Sequence, residues 1–341
     1  MVGTRFGAEG VADTGAASLD ELSAQLSEKL GVEVFLPDEC LGDAVVRVLN
    51  QLRPGQICIL PDLSREPGER SNDERFARAL AGNADAYLGD AFASSHLEQA
   101  SVARLPQLLP RRALGVDARR ELAELTALAS AARESLGWCL GGRRLSDKLD
   151  LVDRWLPRLG TLCVGGQLAV TLLVAAGKAP EDASTEPELA ARTRSLLARA
   201  RDLELELILP SDLRVIWEGD PEPRVVLPHQ LVSSMRVIDV GPESAERFCQ
   251  TLGQRSQLLW WGPLGDTSSN AGTSSSRRLL ELCTGPELRS VILGKDTGRF
   301  VRALPAEAQQ GVALLCTGTA AACAFLSGQR LPGLEALRAR H

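Results

Sequence analysis

The feature that most constrains this chain is the alternation of short apolar runs with amphipathic stretches along its 341 residues. A short apolar run bounded by turn residues suits a strand covered on both faces, and the amphipathic stretch after it supplies a covering helix. Chains patterned this way fold as parallel sheets with helices on both sides. In the first part, strands are expected over 32–36, 57–60 and 84–88, with helices over 18–30, 43–51 and 73–80. Leu19, Leu22, Leu26 and Leu30 form the first helical stripe, with Ser18 as its N-cap. Arg53-Pro54-Gly55 breaks the second helix ahead of its strand. Residues 1–17, rich in Gly and Ala, read as a loop.

A long Ala/Leu-rich helix is expected over 119–136, where no breaker precedes Gly137, and it would connect two lobes. Beyond it the alternation resumes. Strands are expected over 138–140, 161–164, 205–209, 235–240, 257–261, 290–293 and 312–316, with helices starting at Ser146 and Leu168 and a charged helix over 186–201. Pro221, Pro223 and Pro228 predict an exposed, irregular excursion. The Ser/Thr/Gly/Asn-rich stretch 267–276 predicts a mobile surface loop.

Composition bounds the partners. A net charge of −6 argues against a protein that grips a phosphate backbone, and 4% aromatics leaves few platforms for stacked bases. Nucleic acid is therefore not expected. The eight cysteines contain no Cys-x-x-Cys pair and sit mostly in apolar runs, which predicts buried free thiols in a reducing compartment and neither zinc nor disulfides. The three histidines are too scattered for a metal cluster. No secretory signal or membrane span is expected, so the reading is a soluble chain of the cytoplasm or an organelle interior.

Two glycines open the block Gly141-Gly142-Arg143-Arg144-Leu145-Ser146-Asp147-Lys148. Glycine lets backbone N–H groups approach an anion, and a following helix N-terminus adds partial positive charge. Alone, the pair reads as an ordinary turn. Other blocks flank it: Asn83-Ala84-Asp85-Ala86-Tyr87-Leu88-Gly89-Asp90-Ala91-Phe92, Val164-Gly165-Gly166-Gln167-Leu168-Ala169, Leu209-Pro210-Ser211-Asp212, Asp239-Val240-Gly241-Pro242-Glu243-Ser244, Trp260-Trp261-Gly262-Pro263-Leu264-Gly265 and Gly328-Gln329-Arg330-Leu331-Pro332-Gly333. In these blocks, in this order, the chain resembles phosphoglycerate kinase, and the resemblance runs through nearly all of it.

The resemblance implies an α/β fold of two doubly wound (Rossmann-like) parallel-sheet lobes, 1–118 and 137–320, joined by the helix at 119–136. A tail at 321–341 would pack back toward the first lobe. It implies a phosphoglycerate site on the first lobe, Mg-ADP or Mg-ATP on the second, and phosphoryl transfer between 1,3-bisphosphoglycerate and ADP. On this resemblance Arg144 and Lys148 stand at the positions of two active-site lysines. Gly141, Gly142, Gly165, Gly166, Gly262, Gly294, Asp296, Thr297 and Gly318 form the nucleotide turns, with Asp296 linked to magnesium through the nucleotide. Arg5, Arg65 and Asp90 are what is left of the phosphoglycerate site.

Departures from the family pattern concentrate on the substrate side. Ser64 and Leu97 stand where arginines are expected, and a strand carrying further phosphoglycerate contacts would precede residue 1. The first lobe is therefore expected to be incomplete, with unpaired strand edges that a protein partner covers. Trp261 replaces an Asn, Arg144 replaces a Lys, and Thr319 and Ala320 replace glycines, restricting the φ > 0 conformations glycine reaches freely. Phosphoryl transfer works by positioning and charge neutralisation, and bidentate arginine pairing is lost here. The expected function is a catalytically degenerate member, structural or regulatory, a subunit of a larger assembly with no tightly bound nucleotide. The alternative is a divergent working kinase of glycolysis or carbon fixation in which Arg65, Arg144, Lys148 and Lys295 rebuild the clamp, and a third reading is a nucleotide-sensing module. Plainer readings stand beside these: Asp296 with Thr297 as a helix N-cap, Lys148 on a solvated face, the glycines for close packing, and Trp260 and Trp261 as packing groups.

Overall fold

The alternation produces parallel sheets in both halves of the chain. The structure is a computed structural model that describes residues 1–4, 19–183, 186–217, 219–316 and 318–338. The chain divides into two units, Met1–Arg119 with Arg330–His341, and Arg120–Gln329.

In the first unit, β1 (Val2–Thr4), β2 (Val34–Phe35) and β3 (Ile57–Asp62) form a parallel sheet in the order β1-β3-β2. A second parallel sheet pairs β4 (Ala86–Gly89) with β5 (Arg111–Leu114). The intervening helices are α1 (Leu19–Leu30), α2 (Asp43–Gln51), α3 (Pro67–Arg70), α4 (Glu74–Ala81) and α5 (Leu105–Leu108). The core gathers Cys58 and Leu60 of β3, Val45 of α2, Phe76 and Leu80 of α4 and Leu105 of α5. Asp73 caps α4 by accepting the Phe76 N–H at 2.8 Å. One face of the β4–β5 sheet carries Ala86, Leu88, Arg111 and Ala113, all exposed, with Leu88 at 65%.

The second unit is built on six parallel strands: β6 (Leu136–Leu140), β7 (Thr161–Val164), β8 (Glu206–Ile208), β12 (Gln257–Trp261), β13 (Arg289–Leu293) and β14 (Leu314–Cys316). Their order is β14-β13-β12-β6-β7-β8. Trp138 of β6 pairs in register with Leu259 and Leu162 and lies 5.1 Å, centroid to centroid, from Trp155. A separate antiparallel sheet, β10-β9-β11, is made by β9 (Leu213–Trp217), β10 (Asp220–Val226) and β11 (Met235–Val240). The helices are α7 (Ser146–Trp155), α8 (Leu168–Ala175), α9 (Ala190–Asp202), α10 (Pro242–Leu252), α11 (Ser274–Cys283), α12 (Lys295–Arg302) and α13 (Thr319–Leu326). The chain runs into the second unit along α6 (Val116–Ala129) and returns to the first as α14 (Pro332–Leu337).

Several expectations need correcting. The helix expected over 119–136 starts three residues earlier and stops at Ala129, and Leu136 already opens β6. Val2–Thr4, expected in a loop, pairs with β3, while Arg5 and Ser18 lie outside the described residues. The excursion marked by Pro221 and Pro223 is strand β10, which bonds to β9 on one side only; both prolines fall where its register with β9 shifts, between Asp220 and Arg224, and Pro is tolerated on edge strands and at bulges. Part of the loop expected over 267–276 is the buried start of α11, where Thr273, Ser275 and Ser276 are covered. Glu186, expected in a charged helix, precedes α9 and is buried. Among the described residues no helix is long and apolar enough to cross a membrane.

Candidate functional site

Three glycine turns meet where β6, β7 and β12 end. Gly142 (φ 96°) and Gly166 (φ 67°) hold conformations an L side chain rarely adopts, and a Cβ on Gly166 would come within 2.6 Å of the Gly142 N and O atoms. Backbone bonds tie the turns together: Gly141 N–H donates to Trp261 O at 2.9 Å, Gly142 N–H to Pro263 O at 2.7 Å, and Gly166 N–H to Leu264 O at 2.9 Å. Gly165 N–H donates to Leu140 O at 2.7 Å. These four amides, expected to face a phosphate, are spent on neighbouring carbonyls. The packing role is the one the geometry displays.

The start of α7 is also filled. Glu186 reaches across from the segment before α9 and accepts the N–H groups of Leu145 at 2.6 Å and Ser146 at 3.1 Å. A buried carboxylate therefore sits where a helix N-terminus attracts an anion. The sequence carried no pattern marking Glu186 for this, because the contact spans 41 positions.

Lys148, in the first turn of α7, is 8% exposed and not on a solvated face. Its Nζ stands 4.8 Å from the Trp261 ring centroid, a cation–π contact. Burial pulls its pKa down, while Asp147, the Cys323 thiol, Asp296 and Glu186 push it back up. Trp261 takes this position because the strand pleat turns Trp260 the other way, to bond Gly262 O at 2.7 Å and meet Phe300 edge-on. Arg144, by contrast, is 72% exposed, 3.9 Å from Asp147.

At the end of β13, Gly294 (φ 113°) is the N-cap of α12 and no side chain caps that helix. Asp296 lies in the helix's first turn, 73% exposed and 3.6 Å from Arg299, so it is not the cap that the Asp-Thr pair suggested. Thr297 is fully buried; its hydroxyl accepts the Gly262 N–H at 3.0 Å and donates to Leu293 O at 3.2 Å. It staples two turns. Gly318 is the N-cap of α13, and Thr319 and Ala320 form its first turn without positive φ, so their Cβ atoms impose no strain there. Lys295 is exposed beside Asp296.

In the first unit, Arg65 is exposed and Ser64 is buried, with its N–H and hydroxyl both donating to Asp62 Oδ1 at 2.9 and 2.7 Å. Asp90 accepts the Ala118 N–H at 2.9 Å and so caps the start of α6. Arg5 cannot be placed, since it lies outside the described residues.

The family model of phosphoglycerate kinase matches residues 2–329. Phosphoglycerate kinase of Pelotomaculum thermopropionicum is 32% identical over 329 residues, covering 94% of this chain and 81% of the relative. That of Salinispora tropica is 33% identical over 326 residues, covering 94% and 80%. Among solved structures, phosphoglycerate kinase from Coxiella burnetii superposes with a TM-score of 0.80 at 25% identity, over 95% of this chain and 82% of that one. The enzyme from Pyrococcus horikoshii OT3 gives 0.82 at 20% identity over 94% and 82%, a likeness of fold.

Proposed function

The chain belongs to the phosphoglycerate kinase family, and from that membership we propose that it keeps the nucleotide half of the family's chemistry and has lost the phosphoglycerate half. The observation that carries this is the fate of charge at the two ends. Position 64, where the resemblance expects an arginine, is a buried serine whose N–H and hydroxyl are turned onto Asp62. Leu97 replaces a second arginine, and Asp90 is committed to a helix start. A multiply charged phosphoglycerate loses its bidentate partners there.

The nucleotide end retains a usable donor set. The Lys148 ammonium stands at the glycine turns, and α12 presents Asp296 and Lys295 to solvent in its first turn. Asp296 would meet magnesium carried by an ADP or ATP, and Lys148 a phosphate. A bound Mg-nucleotide supplies the phosphoryl group and the metal charge that neutralises it. A structural or regulatory role as a subunit follows from this reading. Two large apolar side chains of the first unit left exposed, Leu88 at 65% and Val116 at 77%, support a protein partner there.

Calorimetry tests the proposal. Mg-ADP is expected to bind with micromolar to millimolar affinity, 3-phosphoglycerate not to bind, and Lys148→Ala to abolish the nucleotide heat. Substantial ATP formation from 1,3-bisphosphoglycerate in a coupled assay would sink it. That result would favour the second reading, a working kinase of the family, which the exposure of Arg144 and Lys295 on the second unit supports.

A further inference from the structure

Three features converge at Trp261 in the second unit. Its backbone belongs to β12, in register between Leu140 of β6 and Leu293 of β13, so it closes the strand ends that carry the Gly141 and Gly294 turns. The face of its ring lies over the Lys148 ammonium at 4.8 Å. The edge of the ring, at Cδ1 and Nε1, borders Gly294, where a Cβ would lie 3.4 and 3.7 Å from those atoms. Both partners are nearly closed to water, Trp261 at 6% and Lys148 at 8% exposure. A side chain with a long flexible stem and a strongly hydrated head ordinarily reaches for solvent. Here the head is instead roofed by an indole.

We propose that Trp261 is a gate over Lys148: an anionic phosphate reaches the ammonium only when the indole has left it, and Trp261 thereby sets the affinity of the site for nucleoside diphosphates. The inference rests on the reading that the second unit takes a Mg-nucleotide. The ring's quadrupole and a phosphate compete for the same cation, and a desolvated cation–π contact has to be given up before the phosphate is gained. Burial lowers the Lys148 pKa, and Asp147, the Cys323 thiol, Asp296 and Glu186 each raise it in opposition. Wild-type affinity is thus held below what the same donor set would give with the ring absent.

Two readouts on the full-length protein test the gate, one of them independent of nucleotide. Acylation of Lys148 by a small amine-reactive reagent, followed by mass spectrometry, reports whether the ammonium is covered. Calorimetric titration with Mg-ADP reports affinity. Trp261→Asn is expected to speed Lys148 acylation about tenfold and tighten Mg-ADP binding about tenfold, the order of a lost desolvated cation–π contact. Trp261→Phe, which keeps a ring, is expected to stay within about twofold of wild type on both. Should the Asn variant fail to fold, Trp261→Leu keeps the apolar bulk without a π face and is expected to move in the same direction. Unchanged or weaker Mg-ADP binding in a variant whose Lys148 has become reactive overturns the gate while leaving the nucleotide reading intact. Absence of Mg-ADP binding in every form overturns both.

Discussion

Single residues show where local reading succeeds and where it stops. The sequence brings Asp296 and Thr297 together, yet their jobs part: the carboxylate is exposed and the hydroxyl staples Gly262 to Leu293. Nothing in the spacing could separate them, because the Gly262 turn arrives from 35 positions away. Asp239, at the end of β11, carries the clearest pH consequence. Burial lifts its pKa from 3.8 to about 7, against the pull of the bonds from Ser275, of the Val240 N–H and of Arg214. The folded protein thus holds a proton that the unfolded chain has released above pH 4. Stability contributed by the neutral carboxyl is present in full below pH 4, falls as pH rises toward 7, and is flat beyond. The loss approaches about 4 kcal/mol at most, at about 1.4 kcal/mol per pH unit. Urea unfolding of wild type and Asp239→Asn at pH 5 and pH 7.5 checks this. The wild type is expected to lose more stability between the two pH values than the variant, and equal slopes would refute the assignment.

At the scale of elements, apolar periodicity was a good guide and polar segments a poor one. The strands at 161–164, 235–240 and 257–261 and the helix starts at Ser146 and Leu168 are legible because a buried run must alternate with a covering stripe. Strand β10 was hidden by its two prolines, which forbid a central strand and permit an edge one. The start of α11 was hidden because buried serines look like loop residues until their acceptors are known; Ser276 takes the Leu264 N–H and Ser275 bonds Val240 O. Helix α7 shows the same blindness in another form. Its N-terminal amides are capped from a segment 40 or more positions downstream, by Glu186. Glu186→Ala leaves the Leu145 and Ser146 amides without that acceptor. The expected cost is about 1–2 kcal/mol in urea unfolding, with faster hydrogen exchange at Ser146. Glu186→Gln, which can still accept, is expected to recover about half of it.

For the whole molecule, the division of the chain is not a division of the sequence into two consecutive pieces. The first unit includes Arg330–His341, and within it α14 is tied by two long-range bonds: Gly333 N–H to Ser95 O at 2.9 Å and Arg112 Nη2 to Arg338 O at 3.0 Å. A family resemblance made the overall order of blocks readable, whereas these contacts depend on backbone carbonyls that composition does not mark. Ala336 of α14 is 4% exposed. Placing a carboxylate there, in Ala336→Glu, asks the first unit either to bury an unpaired charge or to release the helix. Either route costs about 2–4 kcal/mol. Because no residue of the second unit's sheet is altered, the damage is expected to stay in one unit. Hydrogen exchange is expected to quicken at Gly333 and across α5 and β5, while amides of β6, β12 and β13 exchange as in wild type. Equal loss of protection in both units would mean that they unfold as one cooperative body and that the returning segment stabilises the whole chain.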